Sequence, residues 1–506
     1  VCLNEIERAR PLFVGLLGER FGWTPPEARM ARVAAEAGLD GNYAGWSVTA
    51  LEFEFGVLAR GDVESVFFDR QLDGSLPETY RDADPAPVQW IRKRVQADPS
   101  AAVHSYRADF DGSRVHNLSE FELLATAVLG DLVERRARAL TSTEVDPISV
   151  AIELFAEERL AAFVGREPEL GAVYSAAGAG RSVCLVGDSG TGKSSIWCTA
   201  MAAARASGHR VVAVPVGVAP DLLSSTQVVG RIAAEFGLQA PPLAGDELRE
   251  WFRSALAGLG PITIGVDSLD SFALESVADA VGVVASLPVN VMVIATTTEA
   301  AHAEALSRIG FDVVTVSPFE PVDVLRVIES VTARYRRNLP AAAVAQLAAR
   351  SRSPLWLTLA VGELNALNEE DFATVDPAVD PIFALAQLVT DTVSILPPDI
   401  AGLVGRVAER AEQRFGTGVI KHFCGLLTVS RSGLTPYDLT VLTGLDDLTV
   451  AAIRRAFDGV ITIGGAGGRL RFRHAAAKRA LWSRYVPNRK LEFDRRLARY
   501  LRSEEH

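Results

Sequence analysis

The chain has 506 residues, of which 48% are hydrophobic and 23% charged, and it carries a net charge of −12. That length is too great for one core and predicts about three domains at ~150 residues each, while the acidic balance argues against a surface that attracts nucleic acid as a whole. Four cysteines (Cys2, Cys184, Cys198 and Cys424) at no paired or metal-like spacing indicate neither a disulfide framework nor zinc, the usage of a reducing cytoplasm.

The chain opens at Val1 with no signal-peptide pattern and passes at once into a helix and an apolar strand, as a fragment cut inside a domain would. Residues 1–138 read as a first α/β unit. Within it "PLFVGLLG" (11–18) reads as a buried strand, "VESVFFDR" and "AVHSYRADF" as later strands, and "SEFELLATAVLGDLVERRARAL" has the apolar spacing of a closing helix. "TSTEVDP" (141–147) is a polar linker with a helix start signal, which places a linker helix over 139–160.

Across 161–320 the strands "SVCLVGD", "RVVAVPVG", "ITIGVDS", "VNVMVIATT" and "VVTVSP" alternate with helical segments, the rhythm of a parallel sheet covered on both faces. The longest candidate for a membrane span, "VADAVGVVASLPVNVMVIATTT", is interrupted by Asp279, Pro288 and Asn290 before the ~20 apolar residues such a helix needs. It reads as a helix followed by a strand. Helical patterns fill 321–395 and 396–506, apart from a small hairpin, "GVITIGGAGGRLRFRH", with a glycine-rich turn. No solenoid or propeller period is present. The 12 Lys and Arg residues between Arg469 and Arg502 face few acids and read as a solvated basic helical surface in preference to a nucleic-acid patch.

One motif carries chemistry outright. Gly187, Asp188, Ser189, Gly190, Thr191, Gly192, Lys193 and Ser194 fit G-x-x-x-x-G-K-[ST] in full, between an apolar strand and a helix. The glycines let the backbone wrap phosphates with N–H groups, Lys193 reaches the β- and γ-phosphates, the Ser194 hydroxyl ligates magnesium, and Ser195 continues the helix whose positive end faces the anion. Downstream, "ITIGVDSLD" ends a strand in Asp267, where a carboxylate can hold the magnesium shell from the adjacent strand end, and Asp270 could orient a water. A strand-end acid capping the next turn is the other reading of both.

With these residues in place the chain resembles STAND-type NTPases of the NACHT kind, a family of signalling switches. "FVGREPEL" (163–170) resembles the family's segment before the first strand, where backbone and a small apolar residue meet the adenine, which implies a nucleotide role for Val164 and Arg166. "VDSLDSF" resembles the family's D-G-x-D-E pattern with Ser271 in place of the last acid, which implies slow hydrolysis. "VMVIATTTEA" lies where the family's strand commonly ends in a sensor arginine; Thr297 and Thr298 stand there instead, leaving Arg308 and Arg326 as candidate cations. "SPLWL" resembles the proline turn after the NTPase core, implying a base contact for Pro354. "GLTPYDLTVLTG" with "LRFRHAAAKRALWSRY" resembles a winged-helix domain, in which His474 would touch the β-phosphate of stored ADP; a histidine satisfied in the winged-helix core is the alternative.

The first unit is similar to another module. "CLNEIERARPLFVGLLGERFGW" followed by "SVTALEFEF" resembles the domain of unknown function that precedes NACHT modules in nephrocystin-like and telomerase-associated proteins and in bacterial relatives, and "PVGVAPDLLSSTQVVGRIAAEFG" resembles the same proteins. That domain is similar to TIR-like Rossmann units, here lacking their first strands. The resemblance puts Glu52 at the position of an NAD-cleaving glutamate, against the reading of an exposed or salt-bridged helix glutamate beside core Leu51 and Phe55.

The expected fold is therefore α/β: a P-loop NTPase sheet over 161–320, an N-terminal Rossmann-like domain, and a C-terminal helical and winged-helix region. The expected function is a cytoplasmic, nucleotide-gated signalling ATPase of conflict or defence systems. It would bind ATP or ADP with magnesium, turn over slowly, and self-assemble to activate its N-terminal effector or adaptor. Its trigger would be sensed by a C-terminal repeat array not present before His506; neither membrane nor nucleic acid is an expected partner. The rivals are an AAA-plus-like motor or loader acting on DNA, and a scaffold that keeps nucleotide for folding.

Overall fold

The computed structural model describes residues 3–504 except 4–5, 8–9, 11, 60–62, 74–75, 78–79, 142–145, 162, 217, 219–221, 273–276, 283, 286, 335–337, 368–370, 372–379 and 465–467. Cys2 and most of the polar linker lie outside the described residues. The chain divides into two compact units, Val1–Glu144 and Val145–His506.

In the first unit, strands β1 (Leu12–Leu17), β2 (Glu64–Asp73) and β3 (Ala101–Phe110) run parallel in the order β1-β2-β3, and a short β4 (Val115–His116) pairs antiparallel with β3. Alternation on β2 sets the two layers. Phe67 faces a core with Phe53 and Ile91, while Val66 and Phe68 face one with Tyr106 and Leu132. Helix α1 (Glu27–Glu36) packs Met30 and Ala34 against Leu51 of α2 (Val48–Phe53), while α2, α3 (Ala86–Ala97) and α4 (Ser119–Thr141) pack on the sheet. The expected buried strand β1 is instead an edge strand, and on one of its faces Val14 and Leu16 are 47% and 61% exposed. After Phe53 the helix widens into a π turn over Glu54–Leu58, and Gly56 lets Phe13 approach: a Cβ there would lie 2.4 Å from that ring.

The second unit holds a five-stranded parallel sheet: β5 (Val183–Val186), β6 (Arg210–Pro215), β7 (Ile262–Asp267), β8 (Val291–Thr297) and β9 (Asp312–Thr315), in the order β6-β7-β8-β5-β9. The central β7 and β8 are buried at every residue, as strands covered on both faces must be. Successive β5 residues serve different layers: Val183 and Leu185 pack with Trp197 and Met201, Cys184 with Val293 and Leu306. Helix α5 (Pro147–Leu160), expected as a linker, is part of this core. Asp146 caps it by accepting from the Ile148 and Ser149 amides at 3.1 and 3.2 Å, and Ala151 and Phe155 are buried against Trp197.

Helices α6 (Glu167–Gly178), α7 (Lys193–Ala206), α8 (Ser225–Glu235), α9 (Gly245–Ala257), α10 (Val277–Gly282) and α11 (Ala300–Arg308) complete the layers. Among the described residues the helices α12 (Pro321–Arg334), α13 (Ala341–Arg350), α14 (Pro354–Asn365) and α15 (Pro381–Ser394) follow. Then come α16 (Ile400–Phe415), α17 (Thr417–Val429), α18 (Pro436–Thr443), α19 (Asp447–Ala456), the antiparallel hairpin β10 (Ile461–Gly464) and β11 (Arg469–Phe472), α20 (Ala475–Tyr485) and α21 (Lys490–Glu504). Leu434, between α17 and α18, bridges to Leu470 on β11. A single apolar cluster from Phe319 to Tyr500 unites the helices after the sheet. Among the described residues no helix is long and apolar enough to cross a membrane.

Candidate nucleotide-binding site

The glycine-rich loop joins the end of β5 to the start of α7, at the carboxyl edge of the parallel sheet, where α/β sheets take ligands. Gly190 and Gly192 adopt φ of +87° and +97°, a left-handed backbone that a side chain would strain. A Cβ on Gly187 would stand 2.5 Å from the Val316 carbonyl, and one on Gly190 2.7 Å from Leu355, so the loop is pressed between the end of β9 and the start of α14. Thr191 is buried and its hydroxyl donates to the Asp188 carbonyl at 2.9 Å, closing the turn. Asp188 is exposed and Ser189 half-buried, while Ser195 returns to the helix, its amide donating to the Gly192 carbonyl at 3.0 Å.

Lys193 arches over the loop, Nζ donating to the carbonyls of Gly187 and Asp188 at 2.7 and 2.8 Å. Burial holds this ammonium below its ordinary pKa; Asp270, Asp267 and Asp188 oppose that, and Arg479 on α20 adds to it.

Asp267 ends β7. It does not lie on the strand next to β5, as expected: β8 sits between. The link is made across that gap by α7, whose Ser194 hydroxyl donates to Asp267 Oδ2 at 2.9 Å, and by β8 itself, whose Thr296 hydroxyl donates to Oδ1 at 2.6 Å. Ser268, at φ +63°, turns the chain and donates to Oδ2 at 3.3 Å. Asp267 is 2% exposed, and burial pushes its carboxyl upward against the Thr296 and Ser194 hydrogen bonds and the charges of Arg159 and Lys193. A divalent cation held between Ser194 and Asp267 fits this donor set, because it would stabilise the buried carboxylate.

Thr297 and Thr298 hold the end of β8. The Thr298 amide and hydroxyl donate to the two oxygens of Asp270 at 3.0 and 2.9 Å, and Thr297 Oγ1 lies 3.0 Å from His302 Nδ1. Neither candidate arginine reaches the loop. Arg308 pairs with Glu304 on the surface, and Arg326 pairs with Asp323 and Glu167 at 3.3 and 3.5 Å.

Arg166 takes a left-handed φ of +71° after Gly165 at +68°. Its guanidinium is buried, lies 3.9 Å over the Phe319 ring, and donates to the Thr191 and Ser317 carbonyls at 2.6 and 2.7 Å and to Glu169 at 2.7 Å. The side chain therefore braces the glycine loop from behind. Val164 is half-buried against the C-terminal apolar cluster. Pro354 opens α14, and the next amide, that of Leu355, donates to the Gly190 carbonyl at 3.4 Å.

The C-terminal elements bring a second set of cations. His474 is half-buried at the start of α20; burial, then Arg159 and Arg473, push its imidazole down to about 3, so it is neutral at pH 7. Arg471, on β11, is pushed down to about 10 by burial and by Arg159. Sequence reasoning missed Arg159, near the end of α5, since no motif marks it. The basic segment also corrects the expected solvated surface. Arg471 and Arg473 are half-buried, Lys478 donates to the Ser430 carbonyl at 3.1 Å, and Arg484 pairs with Glu412 and Glu409; Arg495, Arg496, Arg499 and Arg502 do face solvent.

In the first unit Glu52 is half-buried on α2 and makes no ion pair among the described residues. The buried acid is Glu54, two residues on, which binds Arg94 through both oxygens at 2.8 and 3.0 Å while that arginine lies 5.6 Å over Trp46.

No protein-family model matches the chain, and no curated protein matches it. Solved structures are similar at low identity. The Orc1 protein of Aeropyrum pernix in complex with DNA is 17% identical over 65% of this chain and 97% of its own, with a TM-score of 0.33. A STAND protein with a tetratricopeptide-repeat sensor from Pyrococcus horikoshii is 14% identical over 68% and 46%, with a TM-score of 0.39. The RuvB Holliday-junction branch-migration motor of Thermotoga maritima is 13% identical over 62% and 93%, with a TM-score of 0.32. The strand, glycine loop and helix on a parallel sheet are the parts of a P-loop NTPase fold.

Proposed function

We propose that the second unit is a nucleotide-gated switch of the STAND kind, binding ATP or ADP with magnesium in the 187–194 loop and turning over slowly. The observation that carries this is the Ser194–Asp267 hydrogen bond at 2.9 Å, which sets a magnesium-type donor pair beside a loop of left-handed glycines. Bound magnesium would screen phosphate charge and polarise the terminal phosphate. Lys193 would exchange its two loop carbonyls for phosphate oxygens. Asp270, oriented by Thr298, would be the group left to position water, and slow turnover follows from the absence of an arginine at the end of β8. His474, neutral and next to the cations of the C-terminal hairpin, would let a stored diphosphate bridge sheet and winged helix. Exchange for a triphosphate would release that bridge and expose a surface for self-assembly. In this reading the first unit is the effector or adaptor, with the NACHT and TIR-like resemblances giving the setting of defence signalling.

The test is the nucleotide that copurifies with the full chain. ADP is expected. Lys193→Ala, which removes a charge-assisted contact of about 3 kcal/mol, should weaken retention roughly 100-fold. A folded wild-type chain that binds neither ADP nor ATP would refute the reading. The DNA-motor alternative draws on the exposed arginines of α21, which line an open groove of about 600 Å³ with Asp494 and Ala498. Turnover stimulated by DNA and falling steeply with salt would favour it.

A further inference from the structure

Two consecutive left-handed residues, Gly165 at φ +68° and Arg166 at +71°, precede α6. That region is unfavourable for a residue with a Cβ, so the surroundings must hold Arg166 there. They do so through its side chain, which is 5% exposed. Nη2 donates to the Thr191 carbonyl at 2.6 Å, while Nη1 donates to the Ser317 carbonyl and to Glu169 Oε1, each at 2.7 Å. The guanidinium lies 3.9 Å over the Phe319 ring, and its Nε makes no hydrogen bond among the described residues. One cation, balanced by Glu169, thus links the glycine loop to the segment after β9 and to α6.

The Thr191 contact fixes more than one oxygen. A trans peptide is planar, and its C=O and N–H point in opposite directions. The Thr191 carbonyl shares its plane with the Gly192 amide. With the oxygen held by Arg166, the Gly192 N–H is turned to the opposite side of the loop, away from the guanidinium. Among the described residues that amide donates to no acceptor. Gly192 immediately precedes α7, whose first amides, those of Lys193 and Ser194, also lack an intrahelical acceptor. Three donors in a row therefore stand ready for an anion. A glycine at φ +97° does not hold its own peptide plane in place, and a donor aimed in advance binds an anion better than one turned on binding.

We propose that Arg166 is a positioning residue for an oligophosphate in the 187–194 loop: by fixing the Thr191 carbonyl it aims the Gly192 amide at the anion, and it touches no part of the nucleotide itself. This rests on the proposed reading of the loop as a phosphate site, and it replaces the nucleotide contact expected for Arg166 with a contact behind the phosphates. A guanidinium suits the task because its planar fork reaches the Thr191 and Ser317 carbonyls at once; an ammonium is a point charge and does not reproduce that geometry. The effect belongs to the phosphates, so it is the same for a nucleotide and for bare pyrophosphate.

The experiment uses the full chain with carbon-13 at threonine carbonyls and nitrogen-15 at glycine amides. The sequence holds three Thr–Gly peptides, 191–192, 417–418 and 443–444, so the spectrum reads the plane in question directly, and Thr191→Ser identifies its signal. Inorganic pyrophosphate and ADP are titrated into wild type, Arg166→Lys, the neutral pair Arg166→Gln with Glu169→Gln, and Lys193→Ala. In wild type, pyrophosphate moves the Gly192 amide proton downfield and leaves the other two signals in place. Arg166→Lys binds pyrophosphate and ADP each roughly 10-fold more weakly, and its Gly192 signal moves less at saturation. The neutral pair behaves likewise, which separates the aim of the plane from the charge of the guanidinium and supplies the reading should Arg166→Lys not fold. A merely structural arginine would lower the melting temperature without changing the Gly192 shift at saturation. Wild-type affinity and the full shift in Arg166→Lys, with binding lost in Lys193→Ala, overturn the positioning role and leave the phosphate site standing. Weaker ADP binding with pyrophosphate unchanged means a direct nucleotide contact and overturns it as well. Wild type that binds neither ligand overturns both the positioning role and the phosphate site.

Discussion

Asp267→Asn isolates what the buried carboxylate does. In the wild type, Asp267 is 2% exposed and accepts hydrogen bonds from Thr296, Ser194 and Ser268 at 2.6, 2.9 and 3.3 Å. Burial outweighs these bonds for a carboxylate removed so completely from water, and the carboxyl is accordingly pushed upward. A folded state that holds this proton more tightly than the unfolded chain is favoured at low pH. The contribution is complete below the unfolded value near ~3.9 and is lost as pH rises through the raised folded value. At pH 7.5 the buried carboxyl is therefore a net cost without a cation. Asparagine keeps the Thr296 acceptor, and its amide can donate to Ser194, so the exchange is nearly isosteric. Without ligand, Asp267→Asn should be more stable by on the order of 1–2 kcal/mol, a rise of roughly 2–6 °C. The same variant should lose most of the additional stabilisation that magnesium gives to ATP, because a neutral amide oxygen holds a divalent cation far less well than a carboxylate. The assay is thermal melting at pH 7.5 with ATP alone, magnesium alone, both and neither. A variant that melts below wild type without ligand, or that keeps the full magnesium-dependent gain with ATP, would refute this account.

Other perturbations test separate joints of the unit. Neutral His474, pushed down to about 3, contributes stability above pH ~6.5 that is lost as pH falls toward about 3; His474→Gln should flatten that limb in acid titrations of the melting temperature. Glu363 is buried and tied to Arg410 at 2.7 and 3.0 Å and to Arg406 at 3.4 Å, joining α14 to α16. Glu363→Ala should cost roughly 1–3 kcal/mol by urea unfolding, less than a fully buried pair because both arginines are about one-third exposed. In β7, a Cβ at Gly265 would lie 2.6 Å from Met201 and from Trp197, so Gly265→Ala should destabilise by about 1–3 kcal/mol through overpacking.

The glycine-rich loop between β5 and α7, the acid at the end of β7 and nearly every strand were legible in the amino-acid order, because each depends on local pattern. Glycine spacing dictates left-handed turns, and unbroken apolar runs dictate strands buried on both faces. What local pattern leaves open is which elements become neighbours. That β8 intervenes between β5 and β7, and that Arg166 turns its guanidinium onto the Thr191 carbonyl, follow from packing of whole layers. The edge position of β1, with Val14 and Leu16 exposed, was likewise invisible, since the same apolar run suits an edge or a centre. Arg159 and Arg473 are 314 positions apart, and only the packing of the C-terminal elements on α5 brings them together. A lone arginine carries no periodicity and no motif, so its charge acquires meaning only from the partners that the tertiary structure sets around it.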